Sequence, residues 1–166
     1  MNPEQAVFLL HFLKGSHDFE MPVTAKVLGA VPEDQKGFKL DGKSKTAVEI
    51  AYHIANAEAW FLKSVLAGEF PMEAESVPEG TTIASIVENY NATVPGLWAQ
   101  VPAMSPEKLA TPLNFFGMFN MPAVAYLNFM LNHTIHHRGQ LAAGLRPMGS
   151  KVPSIYGGSA DEPLKM

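Results

Sequence analysis

Apolar residues recur at helical spacing along four long stretches of the chain, separated by loops that contain proline and glycine. The first stretch begins with Asn2 as its N-cap and Pro3 in the first helical position. We expect Pro22 to kink or end this helix, because proline cannot donate a backbone hydrogen bond. A further turn is predicted up to Pro32, and the polar residues 32–45 are predicted to form a loop.

The second helix has the clearest start of the four. Thr46 and Glu49 have the spacing of a capping box, and an apolar run follows them. The periodic positions continue through Val65, and we expect Gly68 to end the helix. Residues 69–80 are predicted to form the next loop.

The third helix shows the most regular apolar face, and it is predicted to follow Thr82 as its cap. Pro95 lies within it and should bend it. A short helical turn is expected at residues 105–107. Residues 114–120 are predicted to form an aromatic-rich loop.

The fourth helix is predicted from about Pro122 to about Pro147, followed by an irregular but partly apolar tail over residues 151–166. No alternating pattern long enough for a strand is present. The pattern therefore predicts an all-α fold, an up-down four-helix bundle in a single domain over residues 1–166.

Composition excludes several classes of function. The chain has 166 residues, a net charge of −4 and no cysteine, which excludes disulfides, thiolate zinc sites and a cysteine nucleophile. The acidic balance and the scattered Lys and Arg residues argue against nucleic-acid binding. Neither a membrane span nor a basic, signal-like N-terminal region is present, so we expect a cytoplasmic protein.

Three of the six histidines share a predicted interior. His133 and His137 are four residues apart on the fourth helix, so they project from one face. His53 lies near the apolar face of the second helix. Three neutral imidazoles in a bundle interior can ligate a divalent metal, although a buried histidine bonded to a backbone carbonyl is also common. Spacing alone leaves both interpretations open.

The other histidines have simpler interpretations. His11 is predicted on the surface and His17 in the packed interior. His136 is predicted either beside the metal site or on the polar surface.

Two segments carry a more specific signal. Residues 132–141 read NHTIHHRGQL, and residues 145–157 read LRPMGSKVPSIYG. Both resemble segments of the DinB family of bacterial metal-binding bundles, whose signature is HxxxHRGQL. Residues 46–55 are similar to the family's second-helix motif, which contributes one histidine. The resemblance spans nearly the whole chain and is weakest over residues 69–120.

The resemblance implies a DinB-type four-helix bundle, often a homodimer, with a divalent metal on three histidines. By motif match these ligands are His53, His133 and His137. Zn²⁺ or Ni²⁺ is the expected ion. Some relatives are thiol-dependent transferases or isomerases and others are metal-dependent hydrolases, so the implied partners are a small-molecule substrate and a low-molecular-weight thiol.

Three protein ligands leave a position open for water or substrate, which is typical of catalytic zinc. Since the chain has no cysteine, any thiol must arrive as a cosubstrate. Glu49 either orients His53 or only completes the capping box. Gln140 either binds substrate or fills a polar gap, and Trp60 either walls a pocket or belongs to the core. Glu58 is expected to face away from His53, so no general base is identified.

Two function classes follow. The first is a metal-dependent transferase or hydrolase, and the second is a non-catalytic binder of metal or a small ligand. A second apolar strip on the fourth helix predicts a homodimer, with Gly139 allowing close approach, unless the C-terminal tail covers the strip. The strip consists of Val124, Leu131, Ile135 and Ala142.

Overall fold

The computed structural model describes residues 1–164, which form five α-helices, two short 3-10 turns and one two-stranded sheet. The helices are α1 (Pro3–Gly29), α2 (Ala47–Ala67), α3 (Ile83–Trp98), α4 (Pro106–Ala110) and α5 (Ala123–Leu145). The strands are β1 (Pro112–Phe115) and β2 (Phe119–Pro122). The 3-10 turns span Glu33–Gln35 and Val101–Ala103.

Local sequence accounts for the helix ends. Asn2, Thr46 and Thr82 each accept a hydrogen bond from the third residue of their helix, which satisfies a backbone donor that the helix cannot. Gly68 closes α2 at φ 85°, a left-handed conformation that glycine adopts without strain.

Helix α1 runs without a break through Pro22 as far as Gly29. Of the two expectations for Pro22, a kink or an end of the helix, the second is therefore wrong. Leu13 before the proline and Val27 and Leu28 after it are all buried, so packing on both sides offsets the missing backbone hydrogen bond.

The four long helices enclose the core. Helix α2 packs against both α5 and α3, and α1 packs against α5, α3 and α4. Ile54 and Leu62 of α2 are fully buried there, as is Met130 of α5. None of the helices within residues 1–164 is long and apolar enough to cross a membrane.

The sequence pattern missed an antiparallel hairpin, in which Phe115 pairs with Phe119. The all-α expectation and the loop predicted over residues 114–120 are wrong here. Each strand has four residues, too few to display an alternating pattern. The Met118 amide donates to the Phe115 carbonyl at 3.0 Å, and Phe116 and Gly117 both have positive φ, 54° and 75°. These are the features of a type I′ turn.

The tail after α5 is irregular, as predicted, through residue 164. Pro153 is buried, and Val152 and Ile155 pack against the core. The part of that prediction that concerns residues 165–166 lies outside the described residues. The tail thus closes over the helices, and its Tyr156 hydroxyl accepts a hydrogen bond from Arg138 of α5 at 2.8 Å.

Candidate metal centre

The structure brings the three predicted histidines together from two helices. His53 lies on α2, and His133 and His137 lie on successive turns of α5. Nε2 of His53 is 3.1 Å from Nε2 of His133. One ring nitrogen from each of the three lies within 4.8 Å of the other two, and all three residues are half-buried.

This spacing fits a shared divalent ion. Two nitrogen ligands at about 2.0–2.1 Å from a tetrahedral ion lie about 3.3 Å from each other. Two imidazole nitrogens with free lone pairs repel at 3.1 Å, so a proton or a cation must lie between them. The donor set, three imidazoles, is one that Zn²⁺ and Ni²⁺ accept. The residues present therefore fit the ion that the sequence predicts.

Glu75 orients His53, which the sequence analysis did not find. Its Oε2 lies 2.7 Å from Nδ1 of His53. Burial raises the pKa of Glu75, but the hydrogen bond and charge of His53, with the charge of Lys45, outweigh it, and the pKa is lowered. The ionised carboxylate accepts a hydrogen bond from the Nδ1–H group of His53, which leaves Nε2 of His53 free to bind a metal.

Glu49 does not orient His53. Its carboxylate accepts hydrogen bonds from the backbone and the hydroxyl of Thr46, both at 2.7 Å, so it completes the capping box of α2. Of the two interpretations considered for Glu49, the structural one holds. Glu75 lies 22 residues after His53 in an irregular segment, where no helical spacing could have indicated it.

Gln140 orients His137 in a similar way. Its Oε1 accepts a hydrogen bond from Nδ1 of His137 at 2.8 Å, one helical turn away on α5. This contact leaves Nε2 of His137 directed to the site, so two ligands have a partner that fixes the tautomer. His136 is exposed, with its ring centroid 5.0 Å from that of His137.

Burial favours the neutral form of the two α5 histidines of the cluster. Burial, and after it the charges of His137 and His53, lowers the pKa of His133 to about 4. Burial also lowers the pKa of His137, although the hydrogen bond to Gln140 opposes this. Neutral imidazole is the form that ligates metals, so His133 and His137 are available as ligands at neutral pH.

A cavity of about 380 Å³ opens beside the histidines, and His53 and His133 are part of its lining. Trp60 lines it too, so of the two interpretations considered for Trp60 the pocket wall holds. The segment over residues 70–78, which we call the strap, forms a further side and carries Glu75. The hairpin contributes the last wall through Phe115 and Phe116.

Glu58 faces away from this cavity, as expected, but it is buried rather than solvated. Its carboxylate accepts hydrogen bonds from the Tyr90 hydroxyl at 3.0 Å and the Thr134 hydroxyl at 3.2 Å. Nε2 of His17, whose buried ring stacks on Trp98, is 3.2 Å from the same carboxylate. Burial, and after it the charge of Glu58, raises the pKa of Tyr90, so the hydroxyl stays protonated and donates its hydrogen bond to Glu58.

A second buried polar cluster adjoins the site. The Arg138 side chain is 2% exposed, and its Nη1 lies 2.5 Å from Oε2 of Glu20. Nη1 also donates to the Thr24 hydroxyl at 3.1 Å. Arg138 follows His137 directly, about 100° round α5, so it projects towards α1 while His137 projects into the site.

His11 lies outside both clusters and is exposed, as predicted.

Comparison with known proteins agrees with the family resemblance found in the sequence. The family model described as the DinB family matches residues 8–164. YrdA of Bacillus subtilis (strain 168) is 32% identical over 156 residues, which cover 92% of this chain and 90% of that protein.

Two solved structures share the fold. A DinB-like protein from Bacillus cereus is 27% identical, with a TM-score of 0.71, covering 86% of this chain and 94% of that one. A mycothiol-dependent maleylpyruvate isomerase is 16% identical, with a TM-score of 0.54, covering 85% of this chain and 61% of that one. The second likeness concerns the fold alone.

Proposed function

The chain belongs to the DinB family, and we propose that it binds one divalent metal ion, Zn²⁺ or Ni²⁺, on His53, His133 and His137 and acts on a small molecule. The observation that carries this proposal is the convergence of three half-buried ring nitrogens beside an open cavity. The up-down four-helix bundle of DinB type is the architecture that we propose for the long helices.

When bound, the ion supplies Lewis acidity and lowers the pKa of a coordinating water or thiol. The chain's own residues prepare the site for it. Glu75 and Gln140 hold the Nδ1 protons of His53 and His137, so that their Nε2 lone pairs face inward. The cavity walls are mostly apolar, so a molecule that fills the cavity would displace water and strengthen electrostatic interactions at the site.

We propose an enzyme of the thiol-dependent transferase or hydrolase class. Three neutral ligands leave the charge of a divalent ion uncompensated, and this favours an anionic fourth ligand from cosubstrate or water. The chain has no cysteine, so the thiol would be a low-molecular-weight cosubstrate. The mycothiol-dependent isomerase shows that this fold is compatible with thiol-dependent chemistry in another protein. The alternative is a non-catalytic binder of a metal and a small ligand.

Metal content and turnover test the two parts separately. Protein purified without a His-tag and reconstituted with Zn²⁺ or Ni²⁺ should contain one ion per chain by elemental analysis. A ratio near zero would refute the metal site. The loaded protein is then assayed with low-molecular-weight thiols plus electrophiles, and with ester and amide substrates. Turnover that disappears in His133→Ala supports the enzyme, whereas tight metal binding without turnover on either panel favours the binder.

We also propose a homodimer, but not through the strip predicted on α5. Within one chain Val124 is fully buried and Leu131 and Ala142 are each 7% exposed, so this strip offers little surface to a partner. Helix α1 instead exposes three phenylalanines on one face, with the exposed Gly15 between them. They are Phe8, Phe12 and Phe19, at 75%, 70% and 51% exposure.

The charges on that face suit a second copy of the chain. Glu4 and Lys26 lie on the same side of α1, each 11 residues from Gly15 and with opposite charge. An antiparallel pair of α1 helices with its two-fold axis at Gly15 would place Glu4 of one copy beside Lys26 of the other. Lys26 already contacts Glu162, both partly exposed, and the new contact would add to that pair.

A further inference from the structure

The walls of the cavity beside the histidines are largely aromatic. Trp60 and Phe61 of α2 contribute to its lining, as do Phe129 of α5 and Phe115 and Phe116 of the hairpin. Proline, methionine and alanine of the strap add further apolar contacts. Most of the surface that a bound molecule meets is therefore aromatic or aliphatic, and a volume of about 380 Å³ lies in the range of small-molecule sites.

The polar groups and the rings are displaced from each other along the helices. Trp60 follows His53 by seven residues, or about 10 Å along α2. On α5, Phe129 precedes His133 by one turn. A molecule in the cavity thus meets the histidines at one part of its length and the aromatic rings at another.

Phe116 is held in the cavity wall by a backbone conformation that phenylalanine rarely adopts. Its φ of 54° is left-handed, and no other non-glycine residue within residues 1–164 has a positive φ. Asparagine or glycine is preferred at this position of a type I′ turn. Strained residues of this kind concentrate where a side chain contacts a ligand. The Phe116 ring is nearly parallel to that of Trp60, at 14° and a centroid distance of 6.3 Å.

Charge restricts the molecule further. Glu73 and Glu75 of the strap line the cavity, and Glu75 already has His53 and Lys45 as neighbours. A second anionic group on the body of a substrate would be repelled by these carboxylates. One anionic or ligating group beside the histidines is favoured, and a dianionic aliphatic molecule is not.

We propose that the substrate of this site has an aromatic body, carries a single metal-ligating group, and is recognised through Phe116 and Trp60. This inference rests on the proposed function for its ligating group, but the aromatic recognition stands on the cavity itself. Phe116 is a specificity-determining residue in this view.

Calorimetry with three probes tests it. Acetohydroxamate has a ligating head only, 2-naphthohydroxamate adds an aromatic body, and 2-naphthylmethanol has the body with no strong ligating head. Zinc-loaded protein should bind 2-naphthohydroxamate at least tenfold more tightly than acetohydroxamate, a difference of about 1.4 kcal/mol. Phe116→Asn should reduce this preference at least fivefold and leave the acetohydroxamate affinity unchanged.

Neither variant is expected to impair folding of the hairpin. Phe116→Asn places Asn-Gly in the type I′ turn, the preferred sequence there. Met118→Asn is the matched control, because Met118 is 65% exposed on the same hairpin and is not part of the cavity lining. It should behave like the unaltered protein. Equal affinity for the two hydroxamates, or a preference that Phe116→Asn leaves intact, would overturn the proposal.

The third probe separates this inference from the metal site. If zinc fails to bind, the proposed function fails, but 2-naphthylmethanol should still bind the metal-free protein and lose affinity in Phe116→Asn. If zinc binds, but 2-naphthohydroxamate binds no more tightly than acetohydroxamate and 2-naphthylmethanol does not bind, the aromatic specificity is wrong while the metal site stands.

Discussion

Oε2 of Glu75 lies 2.7 Å from Nδ1 of His53, so a residue of the irregular strap orients a ligand that belongs to α2. A carboxylate in this position fixes the tautomer and makes the imidazole a stronger ligand. It also attaches the strap to the helix that it crosses. Binding of the proposed metal and the shape of one cavity wall therefore depend on the same contact.

Replacing Glu75 should weaken metal binding without unfolding the protein. We expect Glu75→Ala to lower Zn²⁺ affinity by about tenfold to a hundredfold, since the Nδ1 proton of His53 loses its acceptor. Competition with a chromophoric chelator measures this. Glu73→Ala is the control, because Glu73 lies on the same strap, and it should change the affinity less than threefold. Equal affinities for both variants would show that Glu75 does not support the site.

The metal should be dispensable for folding. The ligands come from two helices that pack through a large apolar core, so the fold precedes the site. His133→Ala should lose most metal affinity yet keep its helical circular dichroism and a cooperative melt. Metal adds stability only by linkage, about 4 kcal/mol at a thousand times its dissociation constant. A variant that is unfolded at room temperature would make the site structural and remove support for the enzyme.

Acid should destabilise the metal-free protein through His133. Its pKa in the folded state is about 4, below the ordinary value of about 6.5. The unfolded chain therefore takes up this proton first, and the free energy of unfolding falls as pH drops from about 6.5 to about 4.

Urea unfolding in the presence of a chelator checks this. The midpoint of His133→Gln minus that of the unaltered chain should grow as the pH falls through this window. Carboxylates titrate in both proteins and cancel from the difference. A difference that is constant between pH 7 and pH 4 would contradict the prediction.

The buried pair of Arg138 and Glu20 should matter for stability when only one partner is removed. Arg138→Met should cost about 3–5 kcal/mol, because it leaves the Glu20 carboxylate buried without a counter-charge. The double variant Arg138→Met with Glu20→Leu should recover most of this loss. Urea unfolding of the two single variants and the double variant measures the coupling, and additive losses would show that the two residues do not interact.

The proposed dimer has a surface that can be tested residue by residue. Light scattering should give twice the 18.0 kDa of one chain, and Phe12→Asp should shift the protein to the monomer. Ile135→Ser is the control, because Ile135 is the least buried member of the α5 strip, and it should stay dimeric. A monomer in the Ile135 variant alone would return the interface to α5. A monomeric unaltered protein would refute the dimer.

Much of the centre could be predicted because it depends on helical periodicity. A separation of four residues places His133 and His137 on one face whatever surrounds them, and the capping box at Thr46 is equally local. The same periodicity places His53 near the apolar face of the second helix, and the DinB resemblance, which is confirmed, then favours a metal site over packed histidines.

The remainder depends on chain paths that no local pattern encodes. Glu75 reaches His53 only because the strap crosses α2, and residues 69–80 show no periodicity. The hairpin is too short to alternate, so its turn at Phe116 looked like part of a loop. Arg138 lies on the buried side of α5, where a charged residue contradicts the apolar pattern until Glu20 is placed beside it.

The cavity is formed partly by core helices and partly by segments that connect them. Its ligands stand on long helices whose neighbouring faces hold the core together, with Arg138 beside His137 and Thr134 beside His133. Any rotation of α5 would disrupt both the histidine cluster and the buried contacts of Arg138 and Thr134. Two of its walls, by contrast, are connections between helices, the strap and the hairpin. Such connections tolerate insertion and replacement far better than a core helix does. Selectivity can therefore diverge between homologues through the hairpin and through the strap residues other than Glu75, while the three histidines on the helices are inherited unchanged.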